Sequence, residues 1–152
     1  MTTATHETHP AERRVDQLLA HYSASHRHPT NELIHFIAIP LIMLSLVGLI
    51  YEAHPLAAYA FIGASMVYYV RLSLVFFITM LAGSALVLAL VHAMGAQRLA
   101  LCVGIFVVAW IFQFIGHKLE GKKPSFFEDI QYLWVGPLFV LSKLFERIGI
   151  RW

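Results

Sequence analysis

The sequence predicts an all-α membrane protein, in which a bundle of four transmembrane helices follows an N-terminal amphipathic helix and precedes a C-terminal interfacial or re-entrant broken helix. Two observations give this prediction. Of the 152 residues, 59% are hydrophobic and only 13% are charged, and the mean hydropathy is +0.68, well above that of a typical soluble domain. The chain also holds four long apolar runs, and a helix needs roughly 20 apolar residues to cross a bilayer.

The four apolar runs are bounded by charged residues, proline or glycine. They cover residues 33–51, 56–70, 72–94 and 99–115. The second is the shortest, because Tyr68, Tyr69 and Arg71 end it and leave almost no room for a turn. After the fourth run, the Gly136-Pro137 pair interrupts another apolar stretch, which predicts a broken helix rather than a fifth span.

The chain is predicted to form a single integral membrane domain over residues 1–152, because it has no internal repeat or low-complexity tract. Residues 1–17 are predicted to be a flexible polar tail. They lack the continuous apolar core of a secretory signal. The oligomeric state is open, although Gly63 and Gly83 could favour contacts between helices.

Charge and cysteine content exclude several classes of protein. The net charge is only +2, and the basic residues lie at the ends and in short connections, where they suit anionic lipid; nucleic-acid binding is not indicated. Cys102 is the only cysteine, so neither a disulfide nor a cysteine-based zinc site can form within the chain.

The distribution of lysine and arginine predicts the orientation. These residues flank the start of the first run and the end of the fourth, whereas the connection around Glu52 has none. Arg71 in the second connection agrees with this pattern and Arg98 in the third does not. The positive-inside rule therefore places both termini in the cytoplasm. A bacterial inner membrane is favoured, with the endoplasmic reticulum as the alternative, because the tails are short and no retention sequence ends the chain.

The stretch HRHPTNELIHFIAIPL, residues 26–41, places several polar side chains at the start of the first span. His35 lies one helical turn after Asn31, on the same face. Pro29 suits the first turn of a helix, and the residue before it should be extended. This break allows His26 to fold back toward His35, whereas a continuous helix would direct them to opposite faces.

A second polar cluster lies in WIFQFIGHKLEGKKPS, residues 110–125, at the end of the fourth span. Gln113, His117 and Glu120 are spaced by four and three, which makes one polar stripe on an apolar helix. Gly116 permits close approach by a neighbouring helix, and Gly121 is expected to end the helix.

With four spans, the two clusters lie at the same depth on the same side of the membrane. Ionisable residues inside a membrane usually face the bundle interior and mark a functional site. Histidine with carboxylate is a ligand set of non-haem iron, and zinc accepts the same donors. The alternative is that each histidine only caps a helix or lies among lipid headgroups. His21 and His28 have no assigned role, and Asn31 could simply cap a helix.

These two stretches, together with GPLFVLSKLFERIG further on, resemble the Mpo-type family of small membrane proteins. The resemblance covers about residues 18–149. It implies an iron(II)-dependent dioxygenase that uses O2 to shorten 2-hydroxy fatty acids by one carbon. It also implies His26, His35 and His117 as metal ligands, with zinc or manganese as alternative metals.

The resemblance has two departures from the family pattern. His117 and Glu120 are three residues apart instead of four, and Ser125 follows Pro124 where the family has alanine. Glu120 is therefore either a ligand or a residue that orients a ligand histidine. Asn31 and Gln113 are assigned with Glu120 to catalysis. Attraction of the substrate carboxylate is assigned to three basic residues: Arg27, Lys122 and Lys123.

Three alternative functions remain at this point. Another lipid enzyme, a hydroxylase or a zinc hydrolase, could use the same ligands. A metal or proton carrier would need polar residues through the middle of the spans, where this sequence has few, such as Ser45 and Thr79. A membrane scaffold without enzymatic activity would leave the histidine clusters unexplained. Membrane lipid and a 2-hydroxy fatty acid are the expected partners.

Overall fold

All regular secondary structure in the described part of the chain is helical. The structure, a computed structural model, describes residues 13–24, 26–121 and 132–152. The helices are α1 (Arg14–Ser23), α2 (Pro29–Ala53), α3 (Pro55–Leu72), α4 (Leu74–Ala93), α5 (Arg98–Leu119) and α6 (Val135–Ile148). A short 3-10 turn, Gly95–Gln97, precedes α5. The predicted all-α class is confirmed, and each of the four apolar runs forms a helix.

Three helical segments among the described residues are long and apolar enough to cross a membrane: Pro29–Ala53, Leu74–Ala93 and Gly95–Leu119. The 18-residue α3 is not one of them, because its tyrosines and Arg71 lower its hydropathy. Large apolar side chains on the other helices are exposed, as at Leu86 (61%) and Ile111 (52%). Such extended apolar surface is typical of helices that face lipid.

Single residues join α2 to α3 and α3 to α4. His54 (φ −164°, ψ 121°) and Ser73 (φ −165°, ψ 136°) are both extended. Pro55 occupies the first position of α3, where its missing N–H costs no hydrogen bond. Because no loop separates these helices, each is held beside the next, and α2 also packs on α4.

Helix α2 is central, and its main contact is with α5. Glycines allow the two helices to approach closely. A Cβ atom at Gly48 would overlap Sγ of Cys102, and a Cβ atom at Gly116 would overlap the side-chain oxygen of Asn31. Close packing of this kind is a major source of helix association in membranes, where burial of apolar surface contributes little.

Helices α1 and α6 pack on each other beside α2. The buried side chains of α1, Val15, Leu19 and Tyr22, have helical spacing and form one face. This helix begins at Arg14, inside the segment 1–17 that the sequence predicts as a tail; residues 1–12 lie outside the described chain.

Helix α6 covers the C-terminal part of the predicted broken helix. It runs unbroken from Val135 to Ile148, and the predicted break at Gly136-Pro137 lies in its first turn. Proline is tolerated there because the first N–H groups of a helix have no partner within the helix. Gly136 is buried against Ile39 of α2. The Gly-Pro pair therefore lies in the first turn of a packed helix, while residues 122–131, where the earlier part of the predicted broken helix falls, lie outside the described residues.

Arg98, which does not fit the positive-inside pattern, has its charge satisfied within the protein. Its guanidinium lies 3.0 Å from a carboxylate oxygen of Glu52 and 4.8 Å from the centre of the Tyr51 ring. Its Nε also donates to the carbonyl of Val91 at 2.8 Å. An arginine held in this way joins α2, α4 and α5, and it carries little information about membrane orientation.

The α2–α5 contact at Gly48 gives a testable prediction. We expect Gly48→Ala to lower the stability of the protein by about 1–3 kcal/mol, because the added methyl group overpacks the interface. Adding Cys102→Ala should recover part of this loss by removing the opposing Sγ atom. Apparent melting temperatures in one detergent measure both effects.

Gly104→Ala is the matched control, because a Cβ atom at Gly104 meets no atom within 4 Å. It should leave the melting temperature unchanged or slightly raised. Equal behaviour of the Gly48 and Gly104 variants would contradict the close packing described here.

Candidate metal centre

Three buried histidines meet where α2 begins and α5 ends. His35 lies in the second turn of α2, His117 in the last turn of α5, and His26 in the connection between α1 and α2. Their exposed fractions are 1%, 7% and 6%. One ring nitrogen from each can be chosen so that all three lie within 4.8 Å of one another. The structure thus brings together histidines that are up to 91 positions apart in sequence.

Backbone carbonyls fix the protonation of two of these rings. Nδ1 of His26 lies 2.8 Å from the carbonyl oxygen of Tyr22, and Nδ1 of His35 lies 2.9 Å from that of Asn31. A carbonyl oxygen only accepts hydrogen bonds, so each Nδ1 carries a proton and donates it. In the neutral rings, the lone pairs are therefore on the Nε2 atoms.

Those two Nε2 atoms face each other at 3.0 Å. Two nitrogen lone pairs at this distance repel each other unless a proton lies between them or a metal ion binds both. Metal–nitrogen bonds of about 2.0–2.1 Å allow two ligand nitrogens of one ion to be about 3 Å apart. A metal-bound histidine also commonly donates the N–H of its other ring nitrogen to a carbonyl. The donor set therefore fits a metal ion.

His117 approaches this pair from α5. The centre of its ring is 5.6 Å from that of His26 and 5.2 Å from that of His35, with steep angles of 65° and 86° between the ring planes. The rings therefore meet edge to face and do not stack on one another. Three neutral imidazoles in a buried position are a ligand set used by zinc, copper, iron and nickel.

Glu120 holds the connection that carries His26. One carboxylate oxygen accepts the backbone N–H of Arg27 at 2.8 Å, and the other accepts that of His28 at 2.9 Å. The second oxygen also accepts a hydrogen bond from the side-chain amide of Asn31 at 3.0 Å. These contacts tie the end of α5 to the start of α2. In the structure, the Glu120 carboxylate therefore binds backbone N–H groups of the α1–α2 connection and a side-chain N–H group of α2.

The hydrogen bonds to Glu120 change its acidity. Partial burial raises the pKa of this carboxyl, but the N–H groups of His28, Arg27 and Asn31 together outweigh that effect and lower it to about 2. A carboxylate that accepts several N–H groups is stabilised in its charged form. Glu120 is consequently ionised throughout the physiological range.

Asn31 and Gly116 set the distance between the two helices at the site. Asn31 is fully buried, and a Cβ atom at position 116 would overlap its side-chain oxygen. The amide of Asn31 donates to Glu120 and its backbone carbonyl accepts from His35. Asn31 therefore contacts Glu120, His35 and Gly116.

Gln113 lies one turn before His117 on α5. It is 5% exposed, and its side-chain oxygen has no hydrogen-bond partner among the described residues. Together with Tyr22, Tyr132 and Ile39, it lines a small cavity of about 30 Å³. A buried amide oxygen that lacks a partner is a candidate to accept a hydrogen bond from a ligand or a water molecule.

The three basic residues assigned to the substrate are placed differently. Arg27 is exposed beside the histidines, and its backbone N–H, as described above, binds Glu120. Lys122 and Lys123 lie outside the described residues. Gly121, just before them, has φ 74° and ends α5 as predicted.

The remaining histidines of the described chain have other contacts. Nδ1 of His28 accepts the N–H of Thr30 and so caps α2, and His21 forms a hydrogen bond with the Tyr132 hydroxyl at 2.8 Å. His54 caps α3 in the same way as His28 caps α2. His92 bonds to Tyr51, near the far ends of α2 and α4.

Tyr22 contacts the site in a way that the sequence did not predict. Its ring stacks on that of His26 with centres 4.2 Å apart and planes at 9°, and its carbonyl accepts the Nδ1–H of the same histidine. Phe139 of α6 lies against both rings, at 5.0 Å from Tyr22 and 5.7 Å from His26. The only signal was the spacing of four between Tyr22 and His26, which is ambiguous outside a continuous helix.

The fold and the site define a small helical protein with membrane-length helices and a buried cluster of three histidines. The family model described as "2-hydroxy-palmitic acid dioxygenase Mpo1-like" matches residues 13–148. The chain belongs to this Mpo1-like family, which confirms the resemblance seen in the sequence.

Among known proteins, the chain is similar to the 2-hydroxy-palmitic acid dioxygenase MPO1 of Saccharomyces cerevisiae. The two are 30% identical over 141 residues, which cover 86% of this chain and 79% of the yeast protein. No solved structure matches the chain.

The support given by Glu120 can be tested through stability. We expect Glu120→Gln to lower the free energy of unfolding by about 1 kcal/mol, because a neutral amide cannot accept all three N–H groups and the site is partly solvated. Glu32→Gln is the control, since the ion pair between Glu32 and Lys143 is long, at 3.9 Å, and partly exposed.

The same pair of variants gives a pH dependence. Since the pKa of Glu120 is lowered from 4.5 to about 2 in the folded protein, its contribution to stability is fully present above pH 4.5 and is lost as the pH falls toward 2. The difference in melting temperature between wild type and Glu120→Gln should be constant near neutrality and shrink over that window. A difference that grows on acidification would contradict this assignment.

Proposed function

We propose that this protein is a metal-dependent dioxygenase that removes one carbon from 2-hydroxy fatty acids. The observation that carries the proposal is the pair of Nε2 atoms of His26 and His35, which face each other at 3.0 Å with their protons fixed on Nδ1. The family membership and the yeast relative support the substrate class.

His26, His35 and His117 would hold the metal, and iron(II) is the metal that we propose. Bound iron(II) would supply activation of O2 and a positive charge that attracts the carboxylate and hydroxyl of the substrate. Zinc or manganese would accept the same nitrogen donors. Of these metals, zinc is unsuited to O2 activation because it has no redox chemistry of its own.

The protein supports the histidines through contacts that fix each ring. The carbonyls of Tyr22 and Asn31 keep the Nε2 atoms of His26 and His35 unprotonated and directed at one point. Glu120 holds the backbone beside His26 in place. Tyr22 and Phe139 cover His26 on the apolar side and limit the access of water.

Substrate recognition is assigned to the polar groups around this cluster. The side-chain oxygen of Gln113 is a hydrogen-bond acceptor suited to the 2-hydroxyl group of the substrate. Arg27 lies at the exposed edge, where its charge would attract the substrate carboxylate. We assign Lys122 and Lys123 to the same role from the sequence. A fatty acid lying in the bilayer would meet these groups with its polar end.

The overall reaction balances with O2 as the only oxidant. A 2-hydroxy acid R–CH(OH)–COOH and one O2 give the shorter acid R–COOH, CO2 and H2O. The bond between the carboxyl carbon and carbon 2 breaks, carbon 2 becomes the new carboxyl carbon, and oxygen is reduced. No further reductant is needed.

For the membrane arrangement, we propose that α2, α3, α4 and α5 all cross the bilayer and that both termini are cytoplasmic. The start of α2 and the end of α5 would then form the site at the cytoplasmic edge of the membrane. A bacterial inner membrane is proposed in preference to the endoplasmic reticulum.

The test is metal content and turnover of protein purified without oxygen. Wild type should contain close to one iron per chain and consume O2 with 2-hydroxyhexadecanoic acid, forming the acid that is one carbon shorter. His35→Ala and His117→Ala should each lose the metal and reduce the rate at least about 100-fold, as expected when a metal ligand is removed.

His92→Ala serves as the control, because His92 bonds to Tyr51 and belongs to no part of the cluster. It should keep both metal and activity. Zinc-loaded protein that acts on lipid without consuming O2, or histidine variants with unchanged turnover, would overturn the proposal.

A further inference from the structure

A small cavity lies close in sequence to all three histidines. It is lined by Tyr22, Ile39 and Gln113, and each of these is four residues from a different histidine of the cluster: Tyr22 from His26, Ile39 from His35, and Gln113 from His117. Its volume of about 30 Å³ suits one small group or a water molecule. The Gln113 side-chain oxygen in its wall has no hydrogen-bond partner among the residues that the structure describes.

A much larger cavity lies beside the small one. It encloses about 480 Å³ between α2, α3, α4 and the start of α6, and it shares Ile39 and Met43 with the small cavity. Along α2 its wall extends from Ile39 to Val47, which is about 12 Å at the rise of an α-helix. This volume lies in the range of pockets that bind small molecules.

Of the four hydroxyl-bearing residues in the wall of the large cavity, three, all but Ser84, donate hydrogen bonds within the protein. Ser65 donates to the carbonyl of Phe61 at 2.8 Å and accepts the indole N–H of Trp134 at 2.9 Å. The hydroxyl of Tyr69 donates to the carbonyl of Trp134, and that of Thr79 donates to the carbonyl of Val75. A ligand there would meet mainly hydrocarbon, which indicates an apolar chain.

We propose that the large cavity binds the acyl chain of the substrate, with its polar end in the small cavity and at the histidines. This inference rests on the proposed function for the identity of the polar end. Ile39 and Met43 line both cavities and so lie where the two cavities adjoin. Gly83 is an exposed residue of α4 in the wall of the large cavity, and it marks the opening through which the chain enters from the bilayer.

Gly83 also offers a way to fill the cavity without disturbing the fold. A Cβ atom at Gly83 meets no atom within 4 Å, and the same holds for Gly104 on α5, which does not line the cavity. Gly83→Leu should therefore occupy the opening, while Gly104→Leu places an equal side chain at an exposed position elsewhere. Equal melting temperatures of the two variants verify that both are folded.

The first readout is dependence on chain length. Gly83→Leu should lower kcat/KM about tenfold for 2-hydroxyhexadecanoic acid, since excluding even two methylene groups from an apolar site has an effect of this size. It should leave 2-hydroxyhexanoic acid unaffected, because a short chain does not need the far part of the cavity. Gly104→Leu should match wild type with both substrates.

The second readout is binding without turnover. In phosphatidylcholine nanodiscs under nitrogen, 2-hydroxyhexadecanoic acid with a mid-chain diazirine should label the cavity wall near Met43 and Met80. Unlabelled 2-hydroxyhexadecanoic acid should compete, and Gly83→Leu should reduce the labelling about tenfold. A diazirine-bearing hexadecane without a polar end should label these residues weakly and without competition.

The outcomes separate the two proposals. If the wall is labelled as described but no 2-hydroxy acid is turned over, the chain site stands and the reaction assignment fails. If turnover occurs but neither chain-length preference nor labelling responds to Gly83→Leu, the cavity assignment fails. Equal, uncompeted labelling by the hexadecane probe would show that bulk lipid fills the cavity, which also overturns it.

Discussion

The close contact between α2 and α5 at Asn31 and Gly116 is the constraint on which the rest of the site depends. The Asn31 side chain occupies the space that a side chain at position 116 would need. The helices therefore lie close enough for ring nitrogens of His35 and His117 to come within 4.8 Å of each other. The same approach brings Glu120 within reach of the connection before α2. A wider separation would leave each histidine alone in an apolar region, at a considerable desolvation cost.

A large part of this arrangement could be predicted from the sequence. Pro29 marks the start of α2, and the spacing of Asn31 and His35 places both on one face of that helix. The even number of apolar runs brings the start of α2 and the end of α5 to the same end of the bundle. The sequence left two roles open for Glu120, ligand or orienting residue, and could not predict its contacts. A spacing of three from His117 keeps it on the same helix face, but only the path of the chain at Arg27 and His28 decides that its oxygens meet backbone N–H groups.

Where the structure differs from the sequence predictions, the physical cause is one that a residue pattern does not show. Pro137 suggested a break because proline interrupts helices, yet its place in the first turn of α6 removes that penalty. Arg98 did not fit the predicted orientation. Its position is explained by its ion pair with Glu52, a tertiary contact that a sequence pattern does not show. The tyrosines and arginine of α3 make its composition less apolar than that of the other long helices, although it packs beside α2 and α4.

The one-residue joints at His54 and Ser73 restrict how the protein can be altered. Three consecutive helices meet end to end with no loop between them, so an inserted tag, protease site or fluorescent domain would have to push apart helices that now touch. The two joints are therefore unsuitable places for attachment. They also make α2, α3 and α4 one continuous zigzag, whose turns have no spare length to correct an early misplacement.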